Sequence, residues 1–251
     1  MTVLMYPYEH PEEGGLSGYL SAVFEAYRLK LRQPRFRCLR APEQEPELFN
    51  SGLTVPLSEE RAERVARGVM RRGGDEVWKT VLRAFLSDAG GREDMLYLFI
   101  RRLMDGGEAE LLHRLDLPEV AAVVRAAGRT AREAQKFLGI LRFVKYADIY
   151  YAPMEPECRI LPLTAAHFRA RFADQAWIIH DLRRKEALFW NKRDLTFETG
   201  VTARAPEDED AFFQGLWKSY FTAAALAERR NLNLQRNFVP LKYRSHMPEM
   251  Q

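Results

Sequence analysis

"QAWIIHDLRRKEALFWN", residues 175–191, sets two apolar runs on either side of a charged knot. Residues 176–180 and 186–190 are rich in Ile, Trp, Phe and Leu, and Leu182, Arg183, Arg184 and Lys185 lie between them. Short β-prone runs separated by a few polar residues predict a hairpin, and a hairpin pairs its strands antiparallel. Working outward, "DIYYAPM" (148–154) and "CRILPL" (158–163) read as strands around a Glu155-Pro156-Glu157 loop. "TAAHFRARFA" (164–173) reads as a short helix capped by Thr164, and "DLTFETG" (194–200) as a further strand. "EDEDAFFQGLWKSYFTAAALAERRN" (207–231) opens on acids and closes on arginines, which suits the dipole of a long helix.

The first half has a different texture. Residues 3–6 and 36–39 are β-prone, with a helical pattern over 16–29 between them and Ser17 near its N-cap. Ser58 followed by Glu59 and Glu60 is a good helix start, with Gly73-Gly74 as its end. Further helical patterns cover 75–86, 92–104, 117–127 and 130–145. Segregated helices and sequential strands predict an α+β fold: an N-terminal helical layer, then a largely antiparallel sheet, then a long C-terminal helix. The expected organisation is one compact domain over residues 1–251, helix-rich to about 146 and β-rich from about 147.

Composition narrows the class. The 251 residues are 47% hydrophobic and 29% charged, as in an ordinary globular chain. The N-terminus has no basic stretch followed by an apolar run, and no run of about 18 apolar residues occurs. A cytoplasmic address without membrane contact is therefore expected. The two cysteines, Cys38 and Cys158, are far apart, so neither a zinc site nor an iron–sulfur cluster is expected, and the chain itself calls for no cofactor. No phosphate-binding glycine loop, HExxH or nucleophile-elbow signature occurs.

The formal charge is only +3, yet basic residues cluster. The closing stretch "RRNLNLQRNFVPLKYRSHMPEM" holds Arg229, Arg230, Arg236, Lys242 and Arg244 beside Asn231 and Gln235. Arginine forks a phosphate, and Asn and Gln bond phosphates or base edges. A plainer reading has Arg229 and Arg230 closing a helix while Phe238, Val239 and Tyr243 dock the segment on the core. A second cluster is Arg183, Arg184 and Lys185 at the hairpin turn, and a third is Arg132, Lys136 and Arg142 on the helix expected over 130–145. Solvated charge explains each cluster singly, whereas together they suggest a basic face. For acid–base chemistry the candidates are Glu155, His167 and Asp181, with Glu157 and His180 beside them. The plainer reading makes them loop and turn residues that accept backbone hydrogen bonds. His180 and Asp181, adjacent on a strand, point to opposite faces and form no dyad.

Several of these stretches resemble a bacterial family of DNA metabolism proteins whose own function is unknown. The likeness lies in "GYLSAVFEAYRLK" (18–30), "EAQKFLGILRFVKY" (133–146), "YYAPMEPECRILPL" (150–163), "HFRARFADQAWIIHDLRR" (167–184) and "RRNLNLQRNFVPLKYRSHMPE" (229–249). It departs at the N-terminus, where Tyr6-Pro7-Tyr8-Glu9-His10 stands in place of the family's Tyr-Asp-Gly-like turn. The resemblance implies a setting rather than a reaction. Members are encoded beside a radical SAM protein assigned to DNA modification or repair, and the domain also occurs fused to uracil-DNA glycosylase-like domains. The expectation is a DNA-associated accessory protein that binds nucleic acid or presents it to a radical SAM or glycosylase partner. Two other readings stand beside it: a repair enzyme working through Glu155, His167 or Asp181, and an interaction subunit whose basic surface meets an acidic protein.

Overall fold

A computed structural model describes residues 2–39, 52–107, 109–146 and 148–202. The chain opens as strand–helix–strand: β1 (Val3–Pro7), α1 (Leu16–Arg28) and β2 (Arg35–Leu39), followed by β3 (Gly52–Thr54). The sheet order is β2-β1-β3 and both pairings are parallel. Strands β1 and β2 and the helix between them, read from the sequence, are present. Their parallel pairing and β3 went unread, although a parallel pair needs a crossover of about a dozen residues and α1 is one. The N-cap of α1 is Gly15 rather than Ser17, whose hydroxyl instead donates to Glu13 at 2.6 Å.

Three long helices pack behind this sheet: α2 (Glu59–Phe85), α3 (Arg92–Met104) and α4 (Pro118–Ile140). Ser58 caps α2 as expected, its side chain accepting the Arg61 N–H. Gly73-Gly74 interrupts this run as expected, so that α2 is two helical segments joined at a kink. Gly74 takes φ 72° and ψ −171°, and the helix then resumes to Phe85. The segments expected as two helices over 117–127 and 130–145 form the single α4, which stops at Ile140. Arg142 thus sits beyond the helix, donating to the Gly139 and Leu141 carbonyls at its C-terminus.

The second sheet has the order β4-β5-β6-β7-β8. Its strands are β4 (Val144–Tyr146), β5 (Ile149–Met154), β6 (Ala176–Asp181), β7 (Glu186–Trp190) and β8 (Leu195–Thr199). The β6–β7 hairpin pairs Trp177 with Trp190 and Asp181 with Glu186, the register its sequence implied. Three of the four pairings are antiparallel, so the α+β class with a largely antiparallel second sheet holds. The exception is β5–β6, which is parallel because "CRILPL" is no strand. Its Pro162 lies in the first turn of α5 (Leu161–Arg171), where a missing N–H does no harm, and α5 is the crossover. The long helix expected over 207–231 lies outside the described residues.

Of three apolar clusters among the described residues, two hold these layers together. The first gathers Leu4 and Tyr6 of β1, Tyr19 and Val23 of α1, Val69 and Val77 of α2, Phe99 of α3, and Val120 and Val123 of α4. The second joins Ala134 of α4 to Trp177, Ile179, Leu188 and Phe168. Both clusters share α4, whose N-terminal half packs into one and whose C-terminal half packs into the other.

At one point α1 meets β1 with no space for a side chain. A Cβ at Gly18 would lie 2.4 Å from the Pro7 carbonyl oxygen. In an open helix Gly→Ala gains up to about 1 kcal/mol. Here Gly18→Ala is expected to cost about 1–3 kcal/mol through overpacking. Thermal melting should show Tm falling by about 2–4 °C per kcal/mol lost, and an unchanged or raised Tm would contradict this contact.

Candidate functional site

The loop between β5 and α5, Glu155-Pro156-Glu157-Cys158-Arg159, is tied down from several sides. The Glu133 carboxylate on α4 accepts the backbone N–H groups of Glu157 and Cys158 at 2.8 and 2.7 Å. Arg184, in the β6–β7 turn, donates to the Pro156 carbonyl at 3.0 Å and also to the Glu157 carbonyl. The Arg159 N–H donates to the Leu86 carbonyl at the end of α2, at 2.8 Å. Irregular backbone so anchored can present a side chain as firmly as a helix does.

The side chain it presents is Arg159, only 6% exposed. Its Nη2 lies 3.2 Å from Oε1 of Glu186, itself 3% exposed. Tyr8 joins twice: its hydroxyl donates to Glu186 at 2.7 Å, and its ring lies under the guanidinium, 4.9 Å from ring centroid to Cζ. Arg159 Nη1 donates to the Gly14 carbonyl at 3.2 Å. Gly14 is required there, because its φ is 68° and a Cβ would lie 2.8 Å from Leu86 Cδ2 and 3.1 Å from Arg159 Cδ. The pairing is not saturated. Arg159 Nε has no hydrogen-bond partner among the described residues, and Nη2 reaches Glu186 without hydrogen-bond alignment.

Arg159 lines a cleft of about 310 Å³. Phe85, Leu86, Ser87 and Asp88 form one wall, Arg92 stands at the start of α3, and Arg183, Arg184 and Lys185 come from the hairpin turn. Five cations thus face one space with one carboxylate, Asp88, and Arg129 lies 3.1 Å from that carboxylate. Arg92 pairs with Glu93 at 3.1 Å and rests over the Phe85 ring, while its buried Nε has no partner among the described residues. Arg184 is held by Asp181 at 2.9 Å. Exposed Arg183 and Lys185 have no ion pair among the described residues. The surplus positive charge at the mouth is theirs. Rigid guanidinium donors in a partly desolvated cleft suit a phosphate or other oxyanion.

The residues picked out from the sequence fall in different places. Arg183, Arg184 and Lys185 meet in the cleft as a cluster, joined by Arg92 and Arg159, which sequence reasoning missed. A lone arginine in an otherwise apolar "CRIL" run was the available signal, since such a residue is rarely buried without a partner. Exposed Lys136 on α4 and exposed Arg142 beyond its end do not line the cleft. Arg229, Arg230, Asn231, Gln235, Arg236, Lys242 and Arg244 lie outside the described residues. Glu155 is exposed on the anchored loop, and His167 is half-buried on α5 with its ring edge-on to Phe168. Asp181 is fully buried and accepts both the Arg184 N–H at 3.1 Å and the Arg184 guanidinium. Those contacts hold the turn. Among the described residues no three His, Cys, Asp or Glu side chains come together as metal ligands.

His180, on the opposite face of β6 from Asp181, is enclosed. Nε2 lies 3.1 Å from the Val201 carbonyl, which can only accept, so Nε2 carries the proton. Nδ1 then accepts from the Tyr151 hydroxyl at 2.9 Å. Burial pushes Tyr151 up to about 12, which keeps it a donor. Burial also holds His180 below the usual histidine range, more than the Val201 contact and nearby Asp181 restore. Burial likewise raises the Cys158 thiol, which points at Asp88 over 3.7 Å.

With this geometry in view, a family model described as a domain of unknown function, DUF4130, matches residues 90–249. No curated protein matches the chain. The matched span includes all five cations of the cleft. Tyr8, Gly14 and Leu86, which steady Arg159, precede it.

Two outcomes follow from the buried groups. Arg159→Met leaves Glu186 as an unpaired buried charge and is expected to cost about 3–5 kcal/mol in urea unfolding. Adding Glu186→Gln should recover more than half of that loss, and a single variant as stable as the wild type would refute the pairing. Folded His180 resists a proton that the unfolded chain accepts near pH 6.5. Its contribution is therefore neutral above that pH and turns unfavourable as pH falls, by at most about 1.4 kcal/mol per pH unit. His10, raised chiefly by its hydrogen bond to Glu12, acts with the opposite sign, gaining stability on acidification. Comparing wild type with His180→Gln between pH 7 and 5 cancels that term, and the variant should lose less stability in acid. Parallel stability curves would contradict the assignment.

Proposed function

We propose that this chain, which belongs to the DUF4130 family, binds nucleic acid by holding phosphate in the cleft of Arg92, Arg159, Arg183, Arg184 and Lys185. The observation that carries the proposal is Arg159: a buried guanidinium whose Nε has no hydrogen-bond partner among the described residues, in the lining of a cleft that four more cations also line. A purely structural arginine would be expected to have its donors satisfied, as Arg184 largely does. The choice of DNA, and of a radical SAM or glycosylase-like protein as the partner receiving it, rests on the sequence resemblance. Repair chemistry through Glu155, His167 or Asp181 draws less support, since Asp181 is occupied by Arg184 and His167 lies on α5, away from the cleft lining.

Fluorescence anisotropy with labelled duplex and single-stranded DNA over a salt series tests the proposal. Affinity should fall with salt, log K against log[salt] having a slope of about −0.9 per neutralised phosphate on duplex and about −0.7 on single strands. Arg183→Ala with Lys185→Ala, both at exposed positions, should flatten the slope by one to two contacts without lowering Tm. No binding at about 50 mM salt, or binding indifferent to salt, would overturn it.

A further inference from the structure

We infer that the cleft takes a terminal phosphate monoester, on a strand end or a mononucleotide, rather than the phosphodiesters along a duplex. This rests on the cleft being the phosphate site proposed above, and it specifies the ligand. The argument begins with depth. Arg159 is 6% exposed, so a backbone lying across the surface does not reach its guanidinium. A phosphodiester is flanked by sugars on both sides and is presented by a broad helix. A terminal phosphate stands at the end of a single ester bond and can enter a narrow space. The volume agrees: about 310 Å³ lies at the small end of small-molecule pockets, enough for a phosphate with its sugar but too small to admit a duplex.

The donors are arranged in two tiers. At the inner tier Arg159 is immobilised by the Tyr8 ring, the Gly14 carbonyl and Glu186, and Arg92 by Phe85 and Glu93. Each retains an unpartnered Nε. Preorganised donors bind without the entropy loss of ordering long side chains. At the outer tier Arg183 and Lys185, with no carboxylate partner among the described residues, supply charge. A monoester carries up to two negative charges and three terminal oxygens, against one charge and two free oxygens for a diester. It therefore gains more from both tiers. Asp88 is the lining group that opposes an anion, and Arg129 at 3.1 Å offsets its charge.

The test uses the full chain and a single-stranded oligonucleotide of fixed sequence in three forms: a 5′-phosphate, a 3′-phosphate, or hydroxyls at both ends. A nucleoside 5′-monophosphate and the corresponding nucleoside serve as competitors. One phosphorylated form should bind at least about tenfold tighter than the hydroxyl form, equivalent to about 1.4 kcal/mol. The form that does so identifies the end. The monophosphate should compete and the nucleoside should not. Arg92→Gln, at a half-buried position, should bring the preference below about threefold by weakening the phosphorylated form more than the hydroxyl form. Arg159→Lys keeps a cation for Glu186 and should do the same if its melting curve is intact. Equal, salt-dependent binding of all three oligonucleotides would overturn the end preference and leave the nucleic-acid reading standing. Binding of the monophosphate without any oligonucleotide would uphold the monoester site and overturn that reading. If neither class binds, both fall.

Discussion

Burial of the Arg159–Glu186 pair is the constraint around which the site is organised. Removing two charges from water is costly unless geometry and added hydrogen bonds compensate. The compensation comes from distant parts of the chain: Tyr8 and Gly14 before α1, Leu86 at the end of α2, and Glu186 at the start of β7. The pair therefore draws the N-terminal loop, the helical layer and the second sheet to one point. Because Asp181 lies directly opposite Glu186 across the hairpin, two acids would face each other unopposed. Each has its own arginine, Arg184 for Asp181 and Arg159 for Glu186.

The same two arginines explain why a basic cleft forms in a chain so nearly neutral. Their carboxylate partners lie at the facing ends of β6 and β7, and both arginines line one cleft with Arg92, Arg183 and Lys185. Charge is separated rather than accumulated. The helix α4 takes part without lining the cleft. It packs into both apolar clusters, and its Glu133 holds the loop that presents Arg159. A shift of α4 relative to the sheet would thus move the inner donor, which couples packing far from the cleft to its geometry.

Local pattern made much of the architecture legible. The β6–β7 hairpin, its four-residue turn, the Ser58 cap, α3 and the strand–helix–strand opening follow from apolar alternation, helical spacing and capping residues, which act over a few residues. The Arg183, Arg184 and Lys185 cluster was legible because a turn must be exposed. Misreadings arose where one local signal had two outcomes. "CRILPL" has β-prone composition, yet Pro162 fits the first turn of a helix and α5 prevailed. The patterns over 117–127 and 130–145 merged because Gly128 sits within a helix that both apolar clusters support on either side.

The sequence by itself determined the fold class, the hairpin and the presence of excess cations near residue 184, since all three depend on neighbours in the chain. Only the tertiary structure decided that Arg92 and Arg159 join those cations, that Asp181 is held by Arg184, and that β1 and β2 run parallel. Those outcomes depend on contacts between residues far apart in sequence, such as Tyr8 with Glu186 and Gly14 with Arg159. An arginine's burial and its free donor are properties of the space around it, and that space exists only once α2, the 155–159 loop and the β6–β7 turn have come together.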